Sequence, residues 1–233
     1  MQLKSGIPTI AIRDLEIQKR ENDLVAASFG RGFYILDDFS PLREISTTNL
    51  AKESLLFPVK DALSYTIDNP DGGASGANFF ASPNPTFGAV FTYYLKEGIS
   101  TLEGKRQKDE AEKIANNQPV DYPDWEAFTK EKREDNPEMM FTITNEQNEM
   151  VARVGASARR GINRTAWNLR YGNNSALVPP GTYKVSMAKL VNGNWQDLGQ
   201  SQNFNVKRLE NTTFPTTDLA AQEKFRVEVM SLH

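Results

Sequence analysis

The sequence predicts a mainly β protein: an antiparallel sandwich interrupted by a charged helical insertion, with a small group of strands before it and a helix after it. Three observations predict this. Between Thr182 and Met187 the residues alternate, with Tyr183, Val185 and Met187 to one side and Thr182, Lys184 and Ser186 to the other, the period of a half-buried strand. Similar short runs recur along most of the chain, separated by clusters of Gly, Pro, Asn and Asp. From Gly98 to Glu138 the character changes to charge-dense and poor in β-branched residues.

Taken in order, residues 10–17 form the first predicted strand. LVAASF (24–29) and FYIL (33–36) follow, joined by Gly30, Arg31 and Gly32, a tight hairpin with a bulge-type loop. Asn22 and Asp23 turn the chain before this pair; Asp37, Asp38, Ser40 and Pro41 end it. Three short strands form a marginal sheet, so they need a further partner. Residues 42–65 are less patterned and lead to a short strand at 62–67. Turn-rich loops follow at 68–76 and 81–85. GAVFTYYLK (88–96) then sets Phe91, Tyr93 and Leu95 on one strand face.

In the insertion, Ser100 and Glu103 have the spacing of a capping box opening a helix, and Asp124 caps a second helix carrying Trp125 and Phe128. It reads as a solvated helical insertion between two strands. Residues 139–144 and 149–154 form a hairpin around Asn145 and Asn148. Thr165, Trp167 and Leu169 share the face of the next strand. Trp167, flanked by Ala166 and Leu169, is the expected core anchor; a sugar-stacking platform is its other reading.

Pro179, Pro180 and Gly181 make the corner that starts the alternating strand. Tyr183, just past it, fits either a tyrosine corner, its hydroxyl bonding back to nearby backbone, or a plain core tyrosine. Asn192 and Gly193 give the strongest hairpin signal in the chain. A last strand at 203–207 turns Phe204 and Val206 inward. Asp218 then opens a helix bearing Leu219, Phe225, Val229 and Leu232. The predicted divisions are 1–45, 46–78, 79–210 (with the insertion at 98–138) and 211–233.

Composition bounds the chemistry. The 233 residues, 39% hydrophobic and 24% charged, suit a globular chain with a real core. A formal net charge of −3 gives no electrostatic reason to expect nucleic acid, and no apolar run approaches the roughly 20 residues of a spanning helix. With no cysteine, there are no disulfides, thiolate nucleophiles or Cys-rich zinc sites, and the redox compartment is open. The single histidine is His233, so triads with a histidine base and His-based metal sites find no support. No cofactor is expected. The first residues lack the pattern of a signal peptide and enter a strand-like run almost at once, which predicts a piece of something longer.

Together these segments resemble a known series. ENDLVAASFGRGFYILDDFSPLRE looks like the closing blade of large bacterial BNR-repeat, sortilin-like β-propeller proteins that carry the label glycosyl hydrolase. GAVFTYYLK, the charged insertion, FTITNEQNEMVARV, GINRTAWNLRY and PPGTYKVSM resemble the sandwich that follows that propeller, similar to the flagellar-hook-capping type of Ig-like or fibronectin-like domain. The resemblance runs from about residue 10 to the final helix. The family usually has Asp and Gly where this chain has Asn145 and Asn148, a change the turn tolerates because Asn enters the left-handed region. The other blades and any Asp-box repeat are missing from this sequence. The resemblance therefore implies partial propeller strands, an Ig/fibronectin-like sandwich and a C-terminal helix, in an exported protein (periplasmic, cell-surface or extracellular).

The implied role is a non-catalytic structural or interaction module. Its partner would be the rest of the parent propeller or another protein, and a glycan is a further option. The alternative is an accessory part of a glycan-acting hydrolase whose active site lies on the missing blades. Within this chain no catalytic, cofactor or metal residue is assigned. A glycosidase needs two carboxylates across a cleft. Asp14 and Glu16 share a strand face about 6.6 Å apart by the strand rise, but same-face acids usually sit on a solvated edge. Asp37 and Asp38 are adjacent and suit a turn cap. Arg31 reads as a solvated loop tip, with anion binding as its other reading. Trp195 and Trp125 are candidates for carbohydrate stacking.

Overall fold

The structure, a computed structural model, describes residues 7, 9–65, 84–172, 176–191, 193–209, 221, 225 and 229. The chain is mainly β with several antiparallel sheets, and it divides into two compact units, Met1–Asn49 and Leu50–His233.

The first unit is a three-stranded antiparallel sheet in the order β1 (Ile12–Gln18), β2 (Asp23–Ser28), β3 (Phe33–Leu36). The β2–β3 hairpin closes through Gly30 and Gly32 at φ 76° and 82°, a left-handed backbone that glycine adopts without steric cost. Ser28 N and Oγ both donate to Gly32 O, at 3.0 and 2.8 Å. After β3 come two short helices, α1 (Ser40–Arg43) and α2 (Thr47–Ala51), which the sequence pattern had not signalled.

The second unit holds β4 (Ser54–Leu56), β5 (Ala62–Ser64), β6 (Ala89–Leu95), α3 (Leu102–Ala115), α4 (Trp125–Arg133), β7 (Glu138–Thr144), β8 (Met150–Ala156), β9 (Gly161–Trp167), β10 (Gly181–Val191) and β11 (Asn194–Arg208). One sheet runs β5-β11-β10-β7-β8 and the other β4-β6-β9; all pairs are antiparallel except β5–β11. Both sheets feed one apolar core. Phe91 of β6 stacks on Phe141 of β7 with centroids 5.6 Å apart, Tyr93 meets the same ring at a tilt at 5.0 Å, and Phe91 meets Phe204 of β11 edge-on at 5.7 Å. Trp167 is buried against Tyr183 and Phe204, and its Nε1 donates to Arg170 O at 2.9 Å. The core reading of Trp167 is the one the packing gives.

The structure departs from the predicted elements in four places. β1 runs from Ile12 to Gln18 rather than over 10–17. β9 ends at Trp167, so Leu169 does not continue its face; Leu169 turns with φ 57° and is buried from outside the strand. Thr101, not Ser100, caps α3 by accepting from Gly104 N, so Glu103 falls one position short of the capping-box partner. The last strand begins at Asn194, nine residues before the predicted start, because its first half pairs through backbone rather than through apolar alternation. The β7–β8 turn matches its expectation: Asn148 sits at φ 60°, and Asn145 Oδ1 accepts from Gln147 N and Glu149 N. The predicted strand at 62–67 is met by β5, Ala62–Ser64, with residues 66–67 outside the described residues. The loops at 68–76 and 81–83, Asn192, and Asp218, Leu219 and Leu232 of the final helix also lie outside them; Ala221, Phe225 and Val229 are helical.

Candidate functional site

The singled-out acids do not assemble a cleft. Asp14 and Glu16 share one face of β1, opposite Ala27 and Val25, and are solvent-exposed; Asp14 Oδ1 accepts from Leu15 N at 2.9 Å. Asp38 has a turn role, with Oδ1 accepting from Ser40 N at 3.2 Å and Ser40 Oγ at 2.5 Å ahead of α1. Its own N donates to Asp23 Oδ1 at 3.0 Å, fastening the end of β3 to the start of β2. Arg31 is exposed at the tip of its hairpin. Trp125 is 81% exposed on α4 with Phe128 6.4 Å away, and Trp195 is half-exposed opposite Leu190 near the β10–β11 turn. The two tryptophans occupy separate elements.

Sequence reasoning missed an open depression of about 710 Å³ in the second unit. Its walls are the link from β6 to α3, the Asn136–Pro137 entry to β7, and the β8–β9 connection. That connection is held along consecutive carbonyls. Tyr93 Oη donates to Ser157 O at 2.6 Å, Ile99 N to Ala158 O at 2.9 Å, and Asn163 Nδ2 to Arg159 O at 2.7 Å. Burial pushes the Tyr93 hydroxyl up to about 12, so it stays a donor across the physiological range. The depression bears Lys108, Arg159 and Arg160 against one carboxylate, Glu97. The only hint in the sequence was the paired Arg159 and Arg160 before Gly161, in a turn between two strands.

A second polar cluster is structural. Arg106 Nε and Nη2 fork onto Glu131 at 2.9–3.1 Å, and Nη1 reaches Glu110 at 2.6 Å, tying α3 to α4. Glu134 accepts from Leu102 N at the start of α3.

Among the described residues no group of three or more His, Cys, Asp or Glu side chains gathers as a metal site, and no helix is long and apolar enough to cross a membrane. No protein-family model, curated protein or solved structure matches this chain.

Proposed function

We propose that this chain is a non-catalytic structural and interaction module of a larger exported protein. In this reading the first unit contributes strands to a β-propeller blade, and the second is an Ig- or fibronectin-like sandwich that follows it. The observation that carries the reading is the apolar surface of the first unit's sheet. Phe33 and Ile35 are 73% and 62% exposed on one face; Leu15, on the opposite face, is 58% exposed. Apolar side chains standing in water on both faces of a three-stranded sheet mark surfaces meant to be covered. A propeller covers a blade in just this way, each sheet lying between two others. The partner is the rest of a propeller chain or another β-rich protein.

The sandwich reading rests on two sheets sharing one core and on the Tyr183 hydroxyl, which returns to Pro179 O at 2.8 Å beside the start of β10. Sedimentation velocity of the purified chain tests the proposal. Self-association that Phe33→Ser with Ile35→Ser abolishes is the expected result. A monomer at all concentrations contradicts it, and hydrolysis on a broad glycoside panel would move the reading to a glycan-acting enzyme.

A further inference from the structure

The depression between the β6–α3 link and the β8–β9 connection has a composition that the structural reading does not use. Arg159 and Arg160 are exposed at its wall, and Lys108 of α3 lines it too. None of the three makes an ion pair with a carboxylate among the described residues, whereas Arg106, Lys113, Lys132 and Lys207 of the same unit all do. Three cations against Glu97 leave the lining positive in a chain whose formal net charge is −3. The volume falls within the range of roughly 300–1,000 Å³ usual for ligand sites.

The backbone carrying the two arginines is also fixed in place. The carbonyls of Ser157, Ala158 and Arg159 are each engaged by a donor from β6, from the link after it, or from β9. Gly98 lets the two segments meet: a Cβ there would lie 3.0 Å from Arg160 N and 3.3 Å from Ala158 O, both backbone atoms. A loop held this firmly spends little entropy when a ligand arrives, and guanidinium forks match oxyanions bidentately.

We propose that this depression binds an oxyanion group, the carboxylate, sulfate or phosphate of an acidic ligand, through Arg159, Arg160 and Lys108. The proposal stands apart from the propeller reading and survives or fails without it.

The test follows backbone amide shifts of the full chain during separate titrations with sodium acetate, sodium sulfate and sodium phosphate, ionic strength being held constant with chloride. The expected result is saturable shifts at Ile99 and at residues 157–160 with at least one anion, and the anion that saturates names the group. Arg159→Gln with Arg160→Gln weakens that binding at least about tenfold, the scale of losing charge-assisted hydrogen bonds. Lys130→Gln, an exposed charge that does not line the depression, leaves binding unchanged. Gly98→Ala weakens binding with every charge in place, because the arginine backbone must move. Shifts that rise without saturation, equal loss in Lys130→Gln, or full affinity in the double arginine variant or in Gly98→Ala would overturn the proposal.

Discussion

The hydroxyl of Tyr183 donates to the carbonyl oxygen of Pro179, four residues upstream and 2.8 Å away, while its ring packs on Trp167 at 5.5 Å. One side chain thus serves both of the roles its position suggested: it fills the core and ties the Pro179–Gly181 corner to the strand it opens. Tyr183→Phe keeps the ring and removes the bond. It is expected to cost about 1 kcal/mol in urea unfolding with an unchanged denaturant slope. Unchanged stability would mean the corner is held by Pro179 and Pro180 alone.

Gln200 reaches from β11 to β4 and behaves there as a peptide group would. Its Oε1 accepts from Leu56 N at 2.6 Å and its Nε2 donates to Ser54 O at 2.7 Å; Gln202 Nε2 adds a longer bond to Leu56 O at 3.3 Å. Ser54 and Leu56 are buried, so their backbone groups have little recourse to water. Gln200→Ala should cost about 1–3 kcal/mol, the penalty for stranding buried polar groups. Hydrogen exchange at the Leu56 amide is the specific readout: it should speed up more than exchange at Phe141 or Val185.

Asp61 gives the second unit an acid-sensitive clasp. Its carboxylate meets Lys207 Nζ at 2.6 Å and accepts from Asn205 N and Nδ2, joining the entry of β5 to β11. The Lys207 hydrogen bond, aided by those from Asn205 and opposed by partial burial, holds its pKa below the ordinary 3.8. A carboxylate with a depressed folded pKa stabilises the fold above its unfolded value. That stability declines as the pH drops below 3.8 and is gone once the pH is below the folded value. Both groups are solvent-accessible, so the contribution stays within ~1 kcal/mol and shrinks with salt. Asp61→Asn should therefore flatten the fall in stability below pH 4 without altering stability near neutrality by more than that amount, as urea titrations across the acid range would show.

Legibility followed side-chain pattern. Tyr183, Val185 and Met187 alternate because one face of β10 meets the core, and all three are buried. Asn145 and Asn148 marked a turn whose chemistry is local, and local chemistry is what sequence carries best. The first half of β11 was announced only by the Asn192–Gly193 hairpin signal, because WQDLGQSQ pairs with β10 through main-chain bonds and a register shift at Met187–Ala188, with no apolar stripe. β4 was invisible for the opposite reason: three residues are too short to show a period, and distant glutamines complete their bonding. Leu169 misled because it is buried as a strand residue would be, yet it reaches the core through a left-handed turn. The basic depression needed the fold itself, since Lys108 stands 51 positions before Arg159 in the chain.

In the proposed module the sheet of the first unit is covered by its partner. Fluorescence of 1-anilinonaphthalene-8-sulfonate with the folded chain, compared with a variant carrying Leu15→Ser, Phe33→Ser and Ile35→Ser, tests it most directly. Bright dye binding by the native chain and a loss of most of it in the variant, with the chain's far-ultraviolet circular dichroism largely retained, is the expected result. A folded native chain that leaves the dye dark would contradict it.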